Sequence, residues 1–99
     1  EGASKFFDKA VKAFPNDWPI LYRASYQALI EEKNSRKAAD LLVRAARNGG
    51  KDWFYSLAAK LYKDEGDAAT AQALIQQIEA SGEDEALVKR MRERLKKAQ

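Results

Sequence analysis

Apolar residues recur along this chain at three- and four-residue steps. Phe54, Tyr55, Ala58, Leu61 and Tyr62 form one such series, the spacing that places side chains on a single stripe of an amphipathic helix. Gly66-Asp67 ends the stripe, because glycine tolerates a left-handed backbone and aspartate caps whatever helix follows. Ala71, Leu74, Ile75 and Ile78 then supply the stripe of a second helix, closed by Ser81-Gly82. The stretch before it follows the same plan. Asp17 and Pro19 open a helix predicted over about 18–33, Asn34 marks a turn, and a further helix runs to Asn48-Gly49-Gly50. Ahead of these lies a lone stripe of Phe6, Phe7, Ala10, Val11 and Phe14, stopped by Pro15-Asn16-Asp17. Behind them, residues 84–99 carry Leu87, Val88, Met91 and Leu95 at helical spacing amid dense charge.

The chain matches itself at an offset of 33 (55 − 22). Tyr22 falls on Tyr55, Leu21 on Phe54, Leu29 on Tyr62, Glu32 on Glu65 and Asn34 on Asp67. Further along, Ala38 falls on Ala71, Leu41 on Leu74, Leu42 on Ile75 and Gly49 on Gly82. The matched positions are apolar, small and turn residues rather than surface charges, so the period reflects packing. The predicted fold is all-α: helix-turn-helix repeats at 18–50 and 51–83, preceded at 3–15 by the second helix of a truncated repeat. A helix over 84–99 caps the array, polar on its outer side as an open end requires.

These residues resemble the tetratricopeptide repeat family. Its pattern runs from a large residue through small positions to tyrosine, then alanine, an aromatic residue and proline, here with conservative replacements. Tyr55-x2-Ala58-Ala59-x2-Tyr62, Gly66-Asp67 and Ala71-x3-Ile75 follow that pattern, and Ala3-x3-Phe7-x2-Ala10 with Pro15 follows its closing half. The resemblance implies antiparallel helix pairs stacked as a right-handed α-solenoid, this chain being the C-terminal part of an array. The repeat at 18–50 departs from the pattern, because Tyr26 occupies a normally small position and Lys33 replaces the turn glycine. A looser helix pair is expected there. Ala38, Ala58 and Ala71 are expected where helix axes approach within about 8–10 Å.

Composition narrows the function. The chain has no cysteine and no histidine, which removes the thiolate, the commonest general base at neutral pH and the commonest zinc ligand. The acidic clusters Asp64-Glu65 and Glu83-Asp84-Glu85 both fall at expected helix ends, where carboxylates cap rather than catalyse. No enzyme activity, cofactor, metal or small-molecule substrate is expected. The longest nearly apolar stretch, residues 24–30, is too short to cross a bilayer. The first residues lack the pattern of a secretion signal, and the compartment is left open. The basic run Lys89, Arg90, Arg92, Arg94, Lys96, Lys97 has no interleaved aromatic residue and the net charge is only +3, a poor fit to nucleic acid. Basic residues in a last helix also complement its dipole without any ligand.

The expected role is that of a protein-interaction scaffold. In the family, the first helices of successive repeats line a concave groove that holds partner peptides. Carried over by register, the groove residues are Arg23, Gln27 and Ile30, then Trp53, Ser56, Lys60 and Lys63, and finally Lys89 and Arg90. Most of these carry charged or amide donors, so an acidic peptide is the natural complement, with Trp53 as an apolar anchor. Trp53 packing at the helix start, Trp18 covering a repeat junction and the lysines forming a solvated face are the plainer alternatives. The family subset that grips the terminal carboxylate of chaperones needs an asparagine where Leu57 stands, so the resemblance does not extend to that ligand. The alternative function is structural, a spacer or oligomerisation module self-associating through the N-terminal helix, whose partner helix is missing.

Overall fold

The computed structural model describes the backbone of residues 2–81 and 85–97 and the side chains of residues 5–80 and 85–96. It is all-helical there: α1 (Gly2–Ala13), α2 (Trp18–Ile30), α3 (Ser35–Arg47), α4 (Trp53–Asp64), α5 (Ala68–Ser81) and α6 (Glu85–Lys97). The expected stop at Gly82, the residues Glu83 and Asp84, and the side chain of Ala3 lie outside the described residues.

The helix starts follow from capping. The Asp17 carboxylate accepts from the Ile20 amide at 3.3 Å, with Pro19 in the first turn of α2. The Asn34 side chain accepts from the Lys37 amide at 3.0 Å, and Asp67 accepts from both the Thr70 amide (3.0 Å) and the Thr70 hydroxyl (2.6 Å). Each satisfies an amide that the first helical turn cannot. These bonds with Thr70, joined by one from Arg36, hold the Asp67 carboxyl down at about 2.

The end of α2 differs from expectation. The helix stops at Ile30, three residues short of Lys33 (33 − 30), and the Glu32 amide reaches back to the Gln27 carbonyl in a widened turn. Lys33 then takes φ 55°, in the same left-handed region as its repeat counterpart Gly66 at φ 82°. The backbone plan therefore survives the loss of glycine, with a lysine bearing the steric cost. Gly50 is required for a different reason. A Cβ there would sit 2.6 Å from the Ala45 carbonyl oxygen and 2.7 Å from the Phe54 ring.

Residues 31–34 can span at most about 14 Å, less than the ~20 Å length of a thirteen-residue helix. Since α2 and α3 nevertheless pack extensively, they must run antiparallel. α4 and α5 are joined by the shorter segment 65–67 under the same constraint. At backbone level each helix packs on its chain neighbour, and α4 also meets α6. Among the described helices α1 approaches only α2 in this way, so first and last do not meet in a closed ring.

The core repeats with the sequence. Leu21 and Phe54, Ala38 and Ala71, Leu41 and Leu74, and Leu42 and Ile75 are buried in matched pairs, and Tyr22 and Tyr55 are both half-buried. Ala38, Ala58 and Ala71 are fully buried. The pair α2–α3 is not loose. Tyr26 points into solvent, 58% exposed, and the loosening falls between α2 and α4, which share no close backbone approach. Side chains bridge that gap. Tyr22 stacks on Phe54 with ring centroids 4.9 Å apart, and Trp18 and Trp53 pack on the same ring at 5.8 and 4.7 Å.

Ion pairs and a side-chain hydrogen bond tie α3 to α1, to the turns before α3 and α5, and to α5. Lys37 of α3 bonds Asp8 of α1 at 3.2 Å and Glu32 at 2.9 Å. Arg36 reaches Asp67 at 2.8 Å, and Arg47 donates to the Gln77 side chain of α5 at 3.0 Å. Between α3 and α4 the Tyr62 hydroxyl donates to Asp40. Burial, and then that carboxylate, push the phenol well above its ordinary range.

Candidate functional site

α2 presents Arg23, Tyr26, Gln27 and Ile30 at steps of three and four, which places them on one face of the helix. Arg23, Tyr26 and Ile30 are exposed, Ile30 to 50%. Arg23 and Gln27 make no side-chain hydrogen bond or ion pair among the described residues. With Tyr22 and Phe7 of α1 they line an open cleft of about 380 Å³.

The α4 candidates are engaged internally. Ser56 is buried and accepts from the Arg94 guanidinium of α6 at 3.3 Å. Lys63 donates to the backbone carbonyl of Leu95, near the C-terminal end of α6, where a cation complements the helix dipole. Lys60 pairs with Asp64 one turn on, at 2.7 Å. Trp53 is 48% exposed, yet its ring also stands edge-on to Tyr22 at 5.9 Å. It packs at the helix start and still shows a face to solvent. Trp18 covers the junction between α2 and α4, with the Lys51 ammonium 6.0 Å above its ring.

Lys89 and Arg90 separate. Lys89 lines a second cleft of about 410 Å³ between α5 and α6, with Ile78, Glu79, Glu85, Val88, Arg92 and Glu93. Arg90 lies one turn before Arg94, is exposed and does not line that cleft. The structure thus gathers Arg23, Gln27 and Ile30 on one open face, spends Ser56, Lys60 and Lys63 on internal contacts, and draws Lys89 away.

Sequence reasoning missed Arg94, which closes over Ser56, and Phe7 and Tyr26 as walls of the α1–α2 cleft. The one available signal was Tyr26 at a small-residue position. Of the basic run, Arg92 is bound to Glu79 at 2.7 Å. No helix among the described residues is long and apolar enough to cross a membrane, and no group of three or more potential metal ligands is found among them. Comparison of the chain with protein-family models, with curated proteins and with solved structures finds no match.

Proposed function

We propose that the chain is a run of tetratricopeptide-like helix pairs stacked as a right-handed α-solenoid, and that it binds a protein or peptide segment through the face presented by α2. The offset pairs of buried residues support the stacking, as does the antiparallel packing that the short turns demand. The unequal extents of the molecule, 38 × 26 × 16 Å, suit a flat double layer of helices. One observation carries the binding reading. An exposed tyrosine and isoleucine stand on one helix face beside an arginine and a glutamine that have no internal partner. Exposed apolar side chains rimmed by free donors are the usual make-up of a recognition surface.

Affinity capture from an extract of the source cells tests it, comparing the chain with an Arg23→Glu, Ile30→Asp double variant that keeps the helical circular dichroism spectrum. Proteins held by the first and lost from the second support the assignment. Recovery of the same proteins by both would place binding elsewhere.

A second reading, self-association, is favoured by α1. Phe6 and Phe14 are 65% and 56% exposed. When Ala3-x3-Phe7 is aligned on Ala38-x3-Leu42 and Ala71-x3-Ile75, Phe6 falls on the buried Leu41 and Leu74. Phe7, by contrast, packs against the core. Sedimentation across a concentration series should show a dimer that Phe6→Asp disperses. A monomer at every concentration removes this reading.

A further inference from the structure

We infer that the cleft between α1 and α2 recognises a peptide segment carrying a side-chain carboxylate next to an aliphatic or aromatic side chain. The inference rests on the peptide-binding reading above and names the chemistry of the partner. Five residues line the cleft: Phe7, Tyr22, Arg23, Tyr26 and Gln27. Three are aromatic, one is an amide, and the single charge is positive.

The surroundings of that charge decide what fits. Arg23 has no acidic partner among the described residues, so its planar fork is free to take a carboxylate through two parallel hydrogen bonds. Gln27, one turn further along the same face, adds an amide donor that likewise has no side-chain partner there. The rings of Phe7 and Tyr26 offer apolar area to a neighbouring side chain, and Ile30 extends that area along α2. A single cation beside a neutral amide suits a monoanion. A phosphate group, carrying nearly twice the charge, is ordinarily met by a cluster of basic side chains.

The α5–α6 cleft lacks this character. Its basic residues Lys89 and Arg92 face Glu79, Glu85 and Glu93, and Arg92 is already bound to Glu79. Its three carboxylates outnumber its two cations, so it offers no surplus of positive charge. Of these two clefts, the one between α1 and α2 has an uncompensated positive charge.

The test is a nuclear magnetic resonance titration of the ¹⁵N-labelled chain with three capped hexapeptides, blocked at both ends so that only side chains carry charge. One alternates glutamate with leucine, one replaces glutamate with glutamine, and one replaces leucine with serine. The glutamate–leucine peptide should shift amides of α1 and α2 saturably. Either replacement should weaken binding about tenfold, the factor expected when a charge-assisted hydrogen bond or a buried aliphatic side chain is lost. Arg23→Gln and Tyr26→Ala, both at exposed positions, should each reproduce that loss with an unchanged spectrum elsewhere. Equal binding of the glutamine peptide overturns the proposal. Saturable shifts confined to α4–α6 overturn it while leaving the peptide-binding reading in place, and no saturable shift with any peptide into the millimolar range counts against both. A phosphoserine-containing peptide that binds more tightly than the glutamate peptide would likewise overturn it in favour of a phosphate site.

Discussion

The outer faces of α2 and α4 start from equivalent positions and end differently. By the repeat offset, Arg23 corresponds to Ser56, Tyr26 to Ala59 and Ile30 to Lys63. On α4, Ser56 and Lys63 both bond to α6. Ala59, spaced between them on the same face, is fully buried. Small side chains there let the next helix close over α4. On α2 the counterparts are long or bulky, no helix makes a close backbone approach from α4, and Tyr26 and Ile30 remain in solvent. One backbone plan thus yields a closed face or an open one, according to side-chain size at two positions, Arg23 against Ser56 and Tyr26 against Ala59. The same difference sets the electrostatics, since α6 consumes the donors of α4 and leaves those of α2 unspent.

The sharpest way to break this comparison is to give α4 the residue that α2 carries. Ala59→Tyr should destabilise the chain by about 1–3 kcal/mol through overpacking, with α6 losing hydrogen-exchange protection before the other helices. An unchanged urea midpoint would show that residue size at this position does not control closure. The turns offer a gentler exchange. Lys33→Gly, which gives the first repeat the glycine of the second, should raise stability by about 1 kcal/mol, because a left-handed residue with a Cβ is relieved. A lowered midpoint would contradict that account.

Asp67 has no carboxylate at the matching Asn34, so the two caps should part company in acid. The Asp67 carboxyl sits at about 2, below its ordinary 3.8, because Thr70 and Arg36 bond its charged form. A depressed folded-state value means the stabilisation is complete above the unfolded value and drains away as pH falls from 3.8 towards 2. Asp67→Asn should flatten the pH dependence of the thermal midpoint in that window, whereas Asn34→Ser should leave its slope as it was. The smallest effect is expected for Tyr26→Ala, within about 0.5 kcal/mol by chemical denaturation. A larger loss would mean that Tyr26 supports the fold and that the open face is not free to bind.

Much of the framework was legible in the chain because it depends on local rules. The stripes at Phe54–Tyr62 and Ala71–Ile78, the helix start at Asp17, the turns at Asn34 and Gly66, and the cap at Asp67 each follow from residue type and spacing. The early stop of α2 was not legible, since a lysine in the left-handed region is the costlier choice and spacing gives no sign of it. Nor could spacing tell Phe6 from Phe7. Both lie on the apolar stripe of α1, and only the position of α2 decides that Phe7 packs while Phe6 is left out.

The candidate site divides along the same line. Arg23, Gln27 and Ile30 could be placed on one helix face from their intervals alone, because a helix fixes the angle between successive side chains. Whether a donor is free depends on what arrives from elsewhere in the chain. Arg94 reaches Ser56 from thirty-eight residues away and Lys63 meets Leu95 from thirty-two. The amino-acid sequence by itself determined six helical segments, their repeat and their apolar faces, since these are short-range consequences of propensity and period. Only the tertiary structure decided which of two equivalent faces was sealed and which stayed open, because that outcome turns on how closely two helix axes approach.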